Sequence, residues 1–216
     1  MNTEQARFNM IEQQIRPWDV LDKGVLGLLA VVRREDFVPP AYRALAFVDT
    51  EISLGEGQSM LPPRVEARLL QDLQVQRHER VLEIGTGSGF MAALLGHRAQ
   101  SVITLELHPT LAAQATENLR RSGASNVTVV QADGSQGYAA EAPFDAIMVS
   151  GSLHKVPDEL LAQLKPGGRL VAIEGDEPVM TAVRYTRGAE GFSRVALFDV
   201  NATRLAGFPE PARFHF

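Results

Sequence analysis

The 216-residue chain is predicted to be an α/β protein with a mostly parallel, doubly wound sheet, an N-terminal helical extension and an antiparallel C-terminal hairpin. Three observations predict it. Short apolar runs alternate with helical stretches from His78 to Ile173, as βαβ units require. One run ends in a cluster of glycines that leads directly into a helix. Near the C-terminus the alternation breaks into two strand-like runs joined by Arg187-Gly188-Ala189-Glu190-Gly191, a hairpin signal.

The elements follow in order. Over 4–15, Phe8, Ile11 and Ile15 recur at helical spacing, and Arg16-Pro17 stops the run. Asp19 is read as the cap of a second helix with Val20, Leu21, Val25, Leu28 and Leu29 on its apolar face. Residues 34–63 are irregular and include the punctuated stretch SLGEGQSMLPP; long loops of this kind are usually functional or disordered. A third helix spans roughly 64–75. Strand-like runs then fall at 81–84, 102–105, 127–130, 146–149 and 170–173. Helices are read from Phe90 to about Gly96, from Pro109 to a stop at Gly123, and over 157–164. The hairpin runs are 179–186 and 192–200, and the last dozen residues show no period. The expected organisation is an extension and substrate loop at 1–75, a ligand-binding core at 76–200 and a tail at 201–216.

Composition removes several function classes. With no cysteine, disulfides, thiolate catalysis and cysteine-bound metals are excluded. The five histidines have no ligand spacing such as H-E-x-x-H, so no metal is expected. His78, His97 and His108 read as solvent-facing, His154 as a candidate for the site mouth, and nothing is expected of His215. Net charge is −5 and no Lys/Arg stripe is present, so a nucleic-acid partner is not expected. The N-terminus lacks a basic start followed by an apolar run, and the longest apolar run has eight residues. A cytoplasmic location and no membrane partner are therefore expected. Oligomeric state is not legible.

The informative motif is VLEIGTGSGF at 81–90. Gly85, Gly87 and Gly89 let the backbone turn sharply and let a ligand approach closely. The helix behind them offers free N–H groups. A dinucleotide loop would carry Gly or Ala where Phe90 stands, and no G-x-x-x-x-G-K-[ST] exists. Glu83, two residues before the first glycine, would repel a pyrophosphate and suits an ammonium. Glu106 ends the second run, where ribose hydroxyls are held in such folds, and Asp133 follows the third. Acid-then-glycines is the methyltransferase version of this loop. The fold is therefore expected to be Rossmann-like, of the class I methyltransferase type, with S-adenosyl-L-methionine as cofactor.

Beyond the loop, the chain resembles the protein-L-isoaspartate O-methyltransferase family over roughly 34–173. The resemblance rests on VLEIGTGSGF, NVTVVQADGSQG, APFDAIMVS, LLAQLKPGGRLV and, more specifically, on FVPPAYRALAFVD and LGEGQSMLPPRVEARLL upstream. It implies methylation of the carboxyl of isoaspartyl residues in damaged proteins. It also implies that Gly85, Thr86, Gly87, Ser88 and Gly89 hold the cofactor's amino-acid end, that Glu106 and Leu107 meet the ribose, and that Asp133 and Gly134 meet the adenine. Ser150 joins the cofactor set, while Gln58 and Ser59 take the catalytic positions over the substrate pocket. The chain departs from the pattern where the family reads Q-T-I-S: here stands Gln58-Ser59-Met60-Leu61, so the serine position carries leucine. Ser150-Gly151-Ser152 replaces T-A-A, and Thr203-Arg204-Leu205-Ala206-Gly207 stands near the family's F-V-P-L. Two alternatives stay open on these departures: a cofactor-binding relative without isoaspartyl activity, or a methyltransferase for a small-molecule acceptor.

Overall fold

The computed structural model describes residues 2–210. The predicted His215 and the end of the tail lie outside the described residues. Asn2 caps α1 (Thr3–Met10) by accepting from Glu4 N–H and Gln5 N–H, and a wider turn at Ile11–Ile15 carries the chain to Pro17. The second helix, α2 (Lys23–Val31), begins three residues later than the sequence suggested. Asp22 caps it by accepting from Val25 N–H, while Asp19 sits in a left-handed turn at φ 59°. Moving the cap rotates the apolar face. Leu26 is buried there, and Leu21 is 67% exposed.

The irregular region is more ordered than its composition suggested. It folds into short turns and a two-stranded hairpin, β1 (Ile52–Gly55) and β2 (Gln58–Met60), with Ser53 opposite Ser59. Gly55, Glu56 and Gly57 make the bend with positive φ, which two glycines make sterically easy. Helix α3 (Pro63–Leu73) follows, with Pro63 at its first position, where a missing N–H costs nothing.

The core is a seven-stranded sheet. In chain order it contains β3 (Arg80–Ile84), β4 (Ser101–Glu106), β5 (Val127–Gln131), β6 (Phe144–Leu153), β7 (Leu164–Asp176), β8 (Val179–Arg187) and β9 (Phe192–Asp199). The spatial order is β5-β4-β3-β6-β7-β8-β9. The first five of these strands run parallel, and β8 and β9 are antiparallel, as the hairpin signal predicted. The helices between them are α4 (Phe90–Arg98), α5 (Pro109–Ser122) and α6 (Asp158–Ala162). Alternate residues of each strand face opposite layers. Ala146 and Met148 join the N-terminal helices, α3 and α4 on one face; Ile147 and Val149 join α6 on the other. From β3 the chain winds outward to β4 and β5, then returns to lay β6 on β3's other side. Ligands bind at such reversals, beyond the carboxyl ends of the strands. No helix among the described residues is long and apolar enough to cross a membrane.

Ile147 is fully buried at the sheet centre. Ile147→Ala is expected to lower stability by about 3–4 kcal/mol through lost contacts and a residual cavity. Urea unfolding monitored by circular dichroism should show a lower midpoint with an unchanged slope.

Candidate functional site

The carboxyl ends of β3, β4 and β6 meet the β1–β2 hairpin and the strip at 203–208, enclosing two adjoining clefts. The larger has about 460 Å³ of empty volume, its open mouth included. Gln58, Ser59, Gly85, Gly87, Glu106 and Leu107 line it, together with Gly134 and Ser150. The smaller, about 300 Å³, is lined by Ser59, Glu83, Thr86, Ser88 and Leu61, among others. Ser59, Gly85, Gly87 and Ser150 border both.

Each wall has a local cause. Gly85 and Thr86 donate their N–H groups to Leu105 O, extending the β3–β4 ladder past the strand end. The loop then turns through Gly85, Gly87 and Gly89 at φ of 88°, 52° and 85°. Side chains are strained in that conformation. At Gly89 a Cβ would also lie 3.2 Å from Leu119 Cγ, so glycine lets α5 pack close behind the loop.

Glu106 is 4% exposed and fastens this loop. Its Oε2 accepts from Gly87 N–H at 2.8 Å, and its Oε1 accepts from His108 N–H at 3.0 Å. Glu83 is fully buried one strand away. Thr104 Oγ1 and Ser150 Oγ donate to its two oxygens, each at 2.7 Å, and Thr86 Oγ1 lies 2.6 Å from Thr104 Oγ1. Burial pushes the Glu83 carboxyl up to about 7; the Thr104 and Ser150 hydrogen bonds oppose this, and the neighbouring Glu106 charge adds to it.

The predicted residues do not all converge. Asp133 lines neither cleft; its Oδ1 accepts from Ser135 N–H at 2.9 Å, and Gly207 approaches it closely. Gly134 lines the larger cleft, pressed against Ile84. Gly89 shapes the loop from behind. His154 is turned away, with Nδ1 2.7 Å from Asp176 Oδ2 in a separate groove. His108 corrects the expectation of a solvent-facing residue. It lines the larger cleft, and its Nε2 is buried without a partner. Leu205, Ala206 and Phe208 were also missed as lining residues. Leu205 N–H donates to Ser152 O, and its side chain packs so near Gly85 and Gly151 that a Cβ at either would lie within 2.8 Å of it. Their one sequence signal was position near a family motif they do not match. Gln58 Nε2 donates to Arg204 O, tying hairpin to strip.

A glycine loop at a strand-order reversal, bordered by buried acids instead of a phosphate-binding lysine, defines a Rossmann-like methyltransferase-type fold. Comparison with known proteins narrows the class. Residues 5–199 match the family model described as protein-L-isoaspartate(D-aspartate) O-methyltransferase. A protein-L-isoaspartate O-methyltransferase of Methanoculleus marisnigri is 41% identical over 201 residues, covering 93% of this chain and 91% of that one. Protein-L-isoaspartate O-methyltransferase 1 of Syntrophobacter fumaroxidans is 39% identical over 207 residues, covering 96% and 97%. In fold, the chain is similar to a Plasmodium falciparum protein-L-isoaspartate O-methyltransferase structure in complex with S-adenosyl-L-homocysteine. The TM-score is 0.77 at 21% identity, covering 94% of this chain and 97% of that one. The chain belongs to the protein-L-isoaspartate(D-aspartate) O-methyltransferase family.

Two outcomes test this geometry. Glu106→Ala strands the Gly87 and His108 N–H groups and is expected to cost about 1–3 kcal/mol in chemical unfolding. Glu83 has an ordinary value of 4.5 and a folded value near 7, so the folded protein keeps a proton that the unfolded chain releases. Stability of the ligand-free protein should therefore fall as pH rises from 4.5 to 7, by on the order of 3 kcal/mol from this group. Glu83→Gln should flatten that decline in urea titrations across this range.

Proposed function

We propose that the protein uses S-adenosyl-L-methionine to methylate the free carboxyl of isoaspartyl residues in damaged polypeptides. One observation carries the cofactor part: two buried acids, Glu83 and Glu106, flank the glycine loop on adjoining clefts. Carboxylates there disfavour a pyrophosphate and favour a ligand with an ammonium and a ribose. The acceptor follows from family membership and from the GEGQSM hairpin over the same clefts.

The residues match the cofactor's chemistry. In this reading Glu106 Oε1 and Oε2, already fixed by backbone N–H groups, retain acceptor capacity for the ribose hydroxyls. Leu107 and Gly134 border the nucleoside, and Gly85, Thr86, Gly87 and Ser88 border the amino-acid end. Glu83 balances the ammonium, with Ser150 and Thr104 aiming it. Asp133 contributes through its turn, which sets Gly134 and meets the strip at Gly207.

The bound cofactor supplies an electrophilic methyl on a sulfonium. The acceptor carboxylate is already ionised at pH 7, so no side chain need act as general base. The protein's task is orientation in a dry site. Gln58 and Ser59, between the clefts and opposite the glycine loop, orient the acceptor. Ser59 provides the hydroxyl on this strip, since Leu61 is 3% exposed and packed into the smaller cleft. We assign acceptor binding to residues 1–75, cofactor binding to 76–200 and closure of the clefts to the strip that begins the tail at 201–216.

Incubation with methyl-labelled cofactor should label an isoaspartyl peptide and not its aspartyl twin; equal labelling or none would refute the assignment. Binding of S-adenosyl-L-homocysteine should tighten between pH 6 and 7, by about fivefold, because Glu83 must lose its proton to meet the ammonium. Calorimetry in buffers of different ionisation enthalpy should register that proton, and Glu83→Gln should abolish the dependence.

A further inference from the structure

The methyl-transfer reading assigns no role to the most deeply buried cation among the described residues. Arg34 is 1% exposed, far from the glycine loop in sequence. Its guanidinium satisfies three acceptors from three places in the chain. Nε donates to Ala46 O at 3.1 Å, Nη2 donates to Leu61 O at 2.7 Å, and Nη1 pairs with Glu66 Oε2 on α3. Its Cζ lies 5.1 Å above the ring of Phe90. Phe90 is the first residue of α4, directly after Gly89.

Three of the four contacts share a destination. Leu61, Glu66 and Phe90 all line the smaller cleft, which Glu83, Thr86 and Ser59 also border. Arg34 itself does not line that cleft. It lies behind the wall and connects the acceptor side, through Leu61, to the cofactor side, through Phe90. The Leu61 carbonyl it holds closes the Gln58-Ser59-Met60-Leu61 strip. Ala46, Leu61, Glu66 and Phe90 come from separate segments, so one planar group sets their mutual spacing. Lysine cannot do this, since a point charge on a flexible stem lacks the fixed fork.

We propose that Arg34 is a positioning residue for methyl transfer: it fixes the distance between the 58–61 strip and the glycine loop, and through that strip the aim of the acceptor carboxylate. This rests on the methyl-transfer reading. Misplacing reacting groups by about 1 Å can cost about 100-fold in rate. The effect therefore falls on kcat more than on KM.

The test compares Arg34→Lys and Arg34→Met with wild type and with Ile147→Val, a core change at a residue that lines neither cleft and that reports the effect of destabilisation alone. Expected for both Arg34 variants are a kcat on an isoaspartyl peptide lowered about 30- to 100-fold, a KM changed less than about threefold, and S-adenosyl-L-homocysteine affinity held within about threefold. Ile147→Val should keep its kcat. Hydrogen exchange on the S-adenosyl-L-homocysteine complex gives a readout without turnover: amides of 58–61 should exchange at least tenfold faster in Arg34→Lys, with those of 80–84 unchanged. Should Arg34→Met fail to fold, Arg34→Lys decides. A folded Arg34→Lys with wild-type kcat, uniform acceleration of exchange across the chain, or failure of both variants to fold would each overturn the positioning role. Wild-type protein inactive on every isoaspartyl peptide would instead overturn the proposed function, while local acceleration at 58–61 would still show that Arg34 fixes the strip.

Discussion

Glu106 holds the site together. A carboxylate at the end of a strand accepts from one N–H in the glycine loop and from another in its own turn, so two segments of irregular backbone share one anchor. The loop cannot make these hydrogen bonds within a regular ladder, because its positive-φ glycines have left the strand. The anchor also fixes the sign of the site. A negative group sits where a nucleotide-binding fold would present positive potential to phosphates, and the buried Glu83 adds a second when it ionises. Ligand class follows from that charge arrangement more than from the fold, which hosts many ligands.

Burial gives Glu83 its particular character. Placed in water, it would be ionised at neutral pH and would do little. Held beneath the loop, with Thr104 and Ser150 as donors and Glu106 nearby, it sits near its midpoint. Such a group couples protonation to the arrival of a cation, so the empty site avoids a second full buried charge that the filled site can use. The acceptor side follows a different logic. Its hairpin, Arg34 and the strip at 203–208 contribute shape, hydrogen bonds and exclusion of water.

Elements with a strong local signal were legible in the sequence. The alternation of apolar runs and helices predicted the parallel strands, and Arg187–Gly191 predicted the antiparallel edge. The glycine loop located the cleft, because glycine spacing constrains backbone whatever the tertiary context. What escaped depended on contacts distant in sequence. The sequence pointed to Asp19 as the cap of α2, whereas the cap is Asp22, and the packing of Leu26 in place of Leu21 goes with that shift. The roles of His108 and Leu205 arise from the turn after β4 and from the bridge between Ser152 and Arg204. Arg34 carried no signal at all, since its acceptors lie 12 to 32 residues away.

The central claim is that this acid-flanked loop selects a nucleoside bearing an ammonium and a free ribose over phosphate-bearing ligands. Isothermal titration at pH 7.5 with S-adenosyl-L-homocysteine, NAD and ATP in separate cells addresses it most directly. The structure predicts saturable binding of the first and no heat of binding from the other two. Saturable binding of NAD or ATP, with none of S-adenosyl-L-homocysteine, would contradict it.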